Sequence, residues 1–174
     1  MNSAYVYLQL YKLFDAQTPL KVDCGELCGG ACCKGSGGMY LFPGEKKVYD
    51  LLNPSWVNIC KSDFYYTSGE KKRVVYFAEC SGKCDRFQRP LACRIFPLTP
   101  ILNENGKLQI ITDPRAKSVC PLAKAMYLNE YNDTFIKNTE KTFNLLMKNK
   151  PFADFMKSYT EYINEYRKFF NENK

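Results

Sequence analysis

Four cysteines lie within ten residues near the start of the chain, separated mainly by glycines. The segment reads CGELCGGACC from Cys24 to Cys33. A chain that wraps several thiolates around a metal needs positive φ angles and close backbone approach, and glycine permits both. Gly25, Gly29 and Gly30 also disfavour a continuous helix, which would place thiols on one side. The sequence therefore predicts a metal-binding loop here.

Five further cysteines follow, and one of them stands apart. Cys60 has no cysteine near it in sequence, so we interpret it as a buried apolar side chain. The other eight match two sites of four thiolates or one cluster with spare ligands. They form the predicted ligand set: Cys24, Cys28, Cys32, Cys33, Cys80, Cys84, Cys93 and Cys120. Because neighbouring side chains point apart, the adjacent Cys32 and Cys33 indicate one of two arrangements. Either there are two metal sites, or one of the two thiols lies next to the ligands without binding the metal itself.

The absence of histidine limits the metals that this chain can hold. It excludes mixed cysteine-histidine zinc sites, imidazole-ligated iron or copper, and a histidine general base. Zinc ribbons keep two residues between paired cysteines, whereas Cys24, Cys28 and Cys32 are separated by three. Cys120, directly before a proline, is typical of the last ligand in ferredoxin-like runs. These features favour an iron-sulfur cluster, with 4Fe-4S as the expected type and zinc as the alternative.

The composition of the chain limits the cellular compartments and the classes of binding partner that we expect. Residues 1–17 lack the basic start and apolar run of a signal peptide, so we expect a cytoplasmic protein with reduced thiols. No run reaches the roughly eighteen apolar residues of a membrane span. The net charge of +7 and the basic residues 71–73 beside Tyr65 and Tyr66 leave nucleic acid as an alternative partner. A basic hairpin tip is more often a solvated edge than a nucleic-acid-binding surface. We therefore expect an unidentified redox or protein partner. We expect no association with a membrane.

The predicted fold is α+β, in one domain of 174 residues. Residues 1–17 form an N-terminal helix, residues 24–120 a cysteine-rich core, and residues 121–174 a helical tail. Within the core, β-forming runs on either side of Ser68-Gly69 and of Asn105-Gly106 predict two hairpins. Residues 151–170 repeat aromatic side chains at helical spacing. We expect small hairpins and loops around a cysteine-bound metal core, braced by long C-terminal helices.

A motif in the second half of the core carries a resemblance to a known family. It reads Cys84-x2-Phe87-x2-Pro90-x2-Cys93-Arg94-x-Phe96-Pro97. Together with the Cys32-Cys33 doublet, it resembles the YkgJ-type cysteine-cluster family, described as zinc- or iron-chelating proteins. That family usually spaces its first cysteines by two residues, where this chain has three. The resemblance covers residues 24–120 and implies a metal centre.

The sequence leaves three functions open. The first is an iron-sulfur protein with a redox or sensing role. The second is a zinc-stapled interaction module, since closed four-thiolate sites leave no position for substrate. The third is a peptide- or protein-modifying enzyme, because the same motifs resemble a module in flagellin lysine methylases. Those enzymes use S-adenosylmethionine, and this chain has no glycine-rich nucleotide loop after a strand.

Arg94 is the predicted cofactor-binding residue. A guanidinium beside a thiolate-bound cluster would neutralise charge and donate hydrogen bonds to sulfur, raising the reduction potential. The alternative is an ion pair with Asp85 or Glu79.

Overall fold

The computed structural model describes residues 3–34, 37–82 and 84–172, with side chains through residue 169. Helix α1 (Ser3–Phe14) confirms the predicted N-terminal helix, although Met1 and Asn2 lie outside the described residues. Its buried face comprises Ala4, Tyr7, Leu10, Tyr11 and Phe14. This spacing of three and four places one side of the helix against the core.

The cysteine segment forms two short helices, where a loop was predicted. Helix α2 (Cys24–Cys28) begins at Asp23, whose Oδ1 accepts a hydrogen bond from the Gly25 amide at 2.9 Å. Helix α3 (Ala31–Lys34) follows after Gly29 and Gly30, which have φ angles of 63° and 72°. The glycines therefore separate two helical turns rather than preventing them, because the Asp23 cap supports the first turn.

A three-stranded antiparallel sheet follows, with helix α4 (Lys46–Leu52) between its first two strands. The strands are β1 (Gly37–Tyr40), β2 (Val57–Ser68) and β3 (Lys71–Cys80), in the order β1-β3-β2. The first predicted hairpin is confirmed, with longer strands than its β-forming runs. Cys80 pairs with Gly37 on one side and Val57 on the other. This register places Cys80 beside the end of the cysteine segment.

The second hairpin is confirmed as β4 (Leu98–Leu102) and β5 (Leu108–Thr112). It lies between helix α5 (Leu91–Ile95) and helix α6 (Pro121–Ala125). Asn103 Oδ1 accepts hydrogen bonds from the amides of Asn105 and Lys107, and Gly106 has a φ angle of 69°. The Asn-Gly signal thus marks a reversal whose positive φ suits glycine.

Two C-terminal helices complete the fold, as predicted. They are α7 (Asp133–Leu146), capped by Asn132, and α8 (Lys150–Glu172). Aromatic rings fill the core between α8 and the three-stranded sheet: the ring centroids of Tyr66 and Phe155 lie 5.5 Å apart, and those of Tyr40 and Tyr162 also lie 5.5 Å apart. The α+β class is confirmed. In the described part of the chain, no helix combines the length and apolar character needed to cross a membrane.

Candidate metal centre

A cavity of about 480 Å³ lies between the cysteine segment, the edge strand β1 and helix α8. Five thiol-bearing residues line it: Cys32, Cys33, Cys80, Cys84 and Cys93. They come from α3, the end of β3, the loop after it and α5. The fold therefore brings together cysteines that are up to 61 residues apart in sequence.

Within this cavity, Cys33 is the thiol with the most thiol neighbours. Its Sγ lies 3.8 Å from that of Cys32, a contact in which either thiol can be the donor. The Cys32 and Cys84 thiols lower the pKa of Cys33, and Cys33 raises the pKa of each of them. Burial, with a nearby thiol as a lesser cause, raises the pKa of Cys80 and Cys93. Cys33, Cys80, Cys84 and Cys93 form what we call the inner group.

Three thiols of the predicted ligand set, those of Cys24, Cys28 and Cys120, are not part of this cavity lining, and Cys32 lies at the edge between them and the inner group. Cys24 and Cys28 stand four residues apart on α2, and so on one face of that helix. Burial raises the pKa of Cys24 to about 11, with Asp23 and the thiols of Cys28 and Cys120 as further causes. Cys32 also has Cys24 and Cys28 as electrostatic neighbours. We call Cys24, Cys28, Cys32 and Cys120 the outer group.

An ion pair joins the two cysteine regions. Asp23, the cap of α2, pairs with Arg86, which lies between Cys84 and Cys93. The Gly25 amide is the main cause that lowers the pKa of Asp23, and Arg86 acts in the same direction. One carboxylate therefore starts the helix of the outer group and anchors the segment that carries the inner group.

Arg89 is the guanidinium that contacts a thiol. Its Nη1 lies 3.9 Å from Cys33 Sγ, and its Nε is buried without a hydrogen-bond partner among the described residues. A buried, unpaired guanidinium nitrogen is costly unless an anionic group lies against it. Sequence reasoning passed over Arg89 in favour of Arg94, although both belong to the same motif.

The structure places Arg94 behind this cavity, with its donors directed to other groups. Its Nη1 donates to Tyr11 O at 2.9 Å and to Asp15 at 2.5 Å, and its Nη2 donates to Phe87 O at 2.6 Å. Its Nε donates to Arg89 O at 2.9 Å. The ion pair considered from sequence thus exists with Asp15, not with Asp85 or Glu79. Arg94 fixes the backbone that presents Arg89 and ties it to α1.

Glu45 is a buried supporting residue that sequence reasoning missed. It is fully inaccessible and accepts hydrogen bonds from Tyr11 Oη at 2.7 Å, the Leu91 amide at 2.6 Å and the Phe42 amide at 2.9 Å. Burial raises its pKa to about 7. Because Leu91 begins α5, Glu45 holds in place the helix that carries Cys93.

Cys60 remains separate from the cavity lining. Its side chain is half-buried in β2, where Sγ lies 3.7 Å from Phe77 O across the sheet. The described partner of this thiol is a backbone carbonyl, and the prediction that Cys60 is buried is wrong, because its side chain remains partly exposed on the sheet.

The thiols are gathered, but they are not arranged as a completed coordination sphere. Across residues 3–34, 37–82 and 84–172, no three cysteine, aspartate or glutamate side chains are placed to hold one ion. The donor set still suits a thiolate-bound metal, since four thiols and an unsatisfied guanidinium share one wall. Binding would require the thiols to turn about χ1, which partly exposed side chains permit.

Comparison with known proteins adds no relative. No family model, curated protein or solved structure matches the chain. The resemblance to the YkgJ-type family therefore stays a prediction based on the cysteine motifs.

Proposed function

We propose that this protein binds metal through its clustered thiols and holds an iron-sulfur cluster, of 4Fe-4S type, with a redox or sensing role. One observation carries the proposal: five cysteines from α3, the end of β3, the loop after it and α5 line one cavity, together with Arg89, whose Nε is buried without a hydrogen-bond partner among the described residues. Membership of the YkgJ-type family is part of the same proposal.

The inner group is the proposed ligand set of the cluster. Cys33, Cys80, Cys84 and Cys93 supply four thiolates, the number that such clusters use. When bound, the cluster would supply one-electron transfer. Arg89 would offset part of the negative charge of the thiolates through its contact with Cys33, as hydrogen bonds to sulfur do in tuning such centres.

The outer group is the proposed second site. It also contains four thiols, and Cys32 joins it to the inner group at 3.8 Å from Cys33. Under this division, the adjacent Cys32 and Cys33 would each serve a different site. Cys32 is exposed, so a redox partner can approach the centre from this side.

The nine cysteines are free thiols in this structure. The closest described pair among them is Cys32 with Cys33. A cytoplasmic location, where thiols remain reduced, belongs to the proposal.

Zinc is the second candidate. Two groups of four thiols match the stoichiometry of two closed structural zinc sites, which would make the metal a purely architectural part of an interaction module.

Metal and sulfide analysis of anaerobically purified protein separates the two candidates. We expect brown protein with iron and sulfide in nearly equal amounts, and a colourless protein with stoichiometric zinc would refute the cluster. Cys93→Ser and Cys120→Ser should each reduce the bound metal, since they remove one ligand from the inner and the outer group. Cys60→Ser is the matched control and should leave the metal content unchanged.

A further inference from the structure

We infer that the cavity beside the inner group also binds a small organic ligand, a planar aromatic carboxylate. The inference deepens the proposed function, on which it rests, because the same thiols form one wall of the cavity. It adds a ligand of defined chemistry that would lie against the proposed metal centre.

The first argument is size. A 4Fe-4S cluster held by the inner group would fill the part of the cavity beside the thiols, and the cavity also extends to Tyr40, Tyr162 and Tyr166. The cavity of about 480 Å³ falls in the range of small-molecule pockets, roughly 300–1,000 Å³. Space therefore remains beside the cluster.

The second argument is the aromatic wall of the cavity, formed by Tyr40, Phe77, Tyr162 and Tyr166. The Tyr40 ring lies 5.4 Å from that of Phe77 at 72° and 5.5 Å from that of Tyr162 at 81°. Tyr166 continues the wall, 5.2 Å from Tyr162 at 65°. Rings at steep angles form corners in which a planar ligand can stack on one face and meet the edge of the next. The wall thus favours an aromatic ligand over a flexible aliphatic one.

The third argument is charge. Arg89 lines the cavity, and its buried Nε has no hydrogen-bond partner among the residues described. A carboxylate has the geometry to accept two hydrogen bonds from one guanidinium. Arg115 also lines the cavity and lies 5.6 Å from the Tyr162 ring, although its own charge is matched by Asp113. A cationic ligand would meet two guanidinium groups, so the aromatic wall is not a site for an ammonium group.

Calorimetric titration of the purified, metal-loaded protein tests the inference. The probes are 1-naphthoate, its neutral analogue 1-naphthamide, the cation 1-naphthylmethylamine and the aliphatic acid cyclohexanecarboxylate. We expect 1-naphthoate to bind most tightly of the four. Failure of 1-naphthoate to bind, or tighter binding of the amide or the amine, would overturn the inference.

Variants assign the two recognition features. Tyr166→Leu should weaken 1-naphthoate binding about 2- to 10-fold, the effect of losing one ring contact. Phe169→Leu, on the same helix but outside the cavity lining, is its control and should leave the affinity unchanged. Arg89→Gln should weaken binding of the acid about 10- to 100-fold and remove its advantage over the amide. Equal affinities in Arg89→Gln and the unaltered protein would contradict the proposed role of Arg89.

Metal analysis of each sample distinguishes the two proposals. If iron-loaded protein does not bind 1-naphthoate, the proposed ligand site is refuted and the metal proposal is unaffected. Protein without iron or zinc that still binds 1-naphthoate through Arg89 would support the ligand site and refute the metal proposal. Because Arg89→Gln also alters a thiol contact, Arg89→Lys serves as a second variant. It should retain metal and keep a preference for the acid over the amide.

Discussion

Glu45 should make the stability of this protein depend on pH between about 4.5 and 7. Burial raises its pKa from the ordinary value of 4.5 to about 7, so the folded state holds the proton more tightly than the unfolded state. Stability contributed by the neutral form is fully present below pH 4.5 and is lost as the pH rises toward 7. A difference of about 2.5 units, from 7 minus 4.5, corresponds to about 3 kcal/mol.

Glu45→Gln isolates this contribution. The amide does not titrate, so the difference in unfolding free energy between the unaltered protein and the variant should change by about 3 kcal/mol from pH 4.5 to 7. The unfolding free energy of the unaltered protein, relative to that of the variant, should be higher at pH 4.5 than at pH 7. The variant also places an NH₂ group near the Phe42 amide donor, which costs about 1–3 kcal/mol at every pH.

Denaturant unfolding under reducing, anaerobic conditions measures both proteins at a series of pH values. Taking the difference removes contributions that the two proteins share, including those of the cysteine thiols. Glu70→Gln, at an exposed turn position, provides the control and should show no such change. A difference that stays constant from pH 4.5 to 7 would refute the reasoning.

Three further substitutions test other parts of the structure. Gly38→Ala would place a Cβ 2.2 Å from the Ala78 carbonyl oxygen, so β1 must shift; we expect a lower melting temperature and less bound metal, and normal values of both would contradict this close approach. Arg94→Gln removes the buried donor of the Tyr11, Phe87 and Arg89 carbonyls and should cost about 1–3 kcal/mol in denaturant unfolding, whereas no measurable loss would show that the network is not needed. Phe155→Ala should cost about 3–5 kcal/mol by the same assay because the ring is fully buried, and a much smaller loss would argue against the aromatic core.

The sequence correctly predicted the secondary-structure elements whose patterns lie within a few neighbouring residues. Asn103 to Gly106 marked the second hairpin, and the aromatic period marked α8, since both patterns depend on neighbouring residues. The sequence did not predict helix α2, because the three glycines of the cysteine segment disfavour a helix. In the structure the N-cap at Asp23 stabilises the helical turn despite them.

The polar part of the site was less predictable. Glu45 receives hydrogen bonds from Tyr11 and Leu91, which are 34 residues before it and 46 residues after it, and nothing local indicates that it is buried. Arg89 and Arg94 have the same chemistry and share one motif. Their different surroundings follow from α1 and the residue directly after it, because the Tyr11 carbonyl and Asp15 engage Arg94 and leave Arg89 facing the thiols. Tertiary contacts, rather than motif position, separate their roles.

The two thiol groups are nested along the chain, and this has a consequence for assembly. The inner group spans Cys33 to Cys93, and the outer group encloses it from Cys24 to Cys120. The entropy cost of closing a loop increases with its length, by about 0.6 kcal/mol for each doubling. The shorter loop, closed by the inner group, is therefore easier to form first. During synthesis the last thiol of the inner group also leaves the ribosome before Cys120. Under the proposed metal assignment, metal would enter the inner group while the C-terminal helices are still being made, and Cys120 would then close the outer group around a segment already held in place.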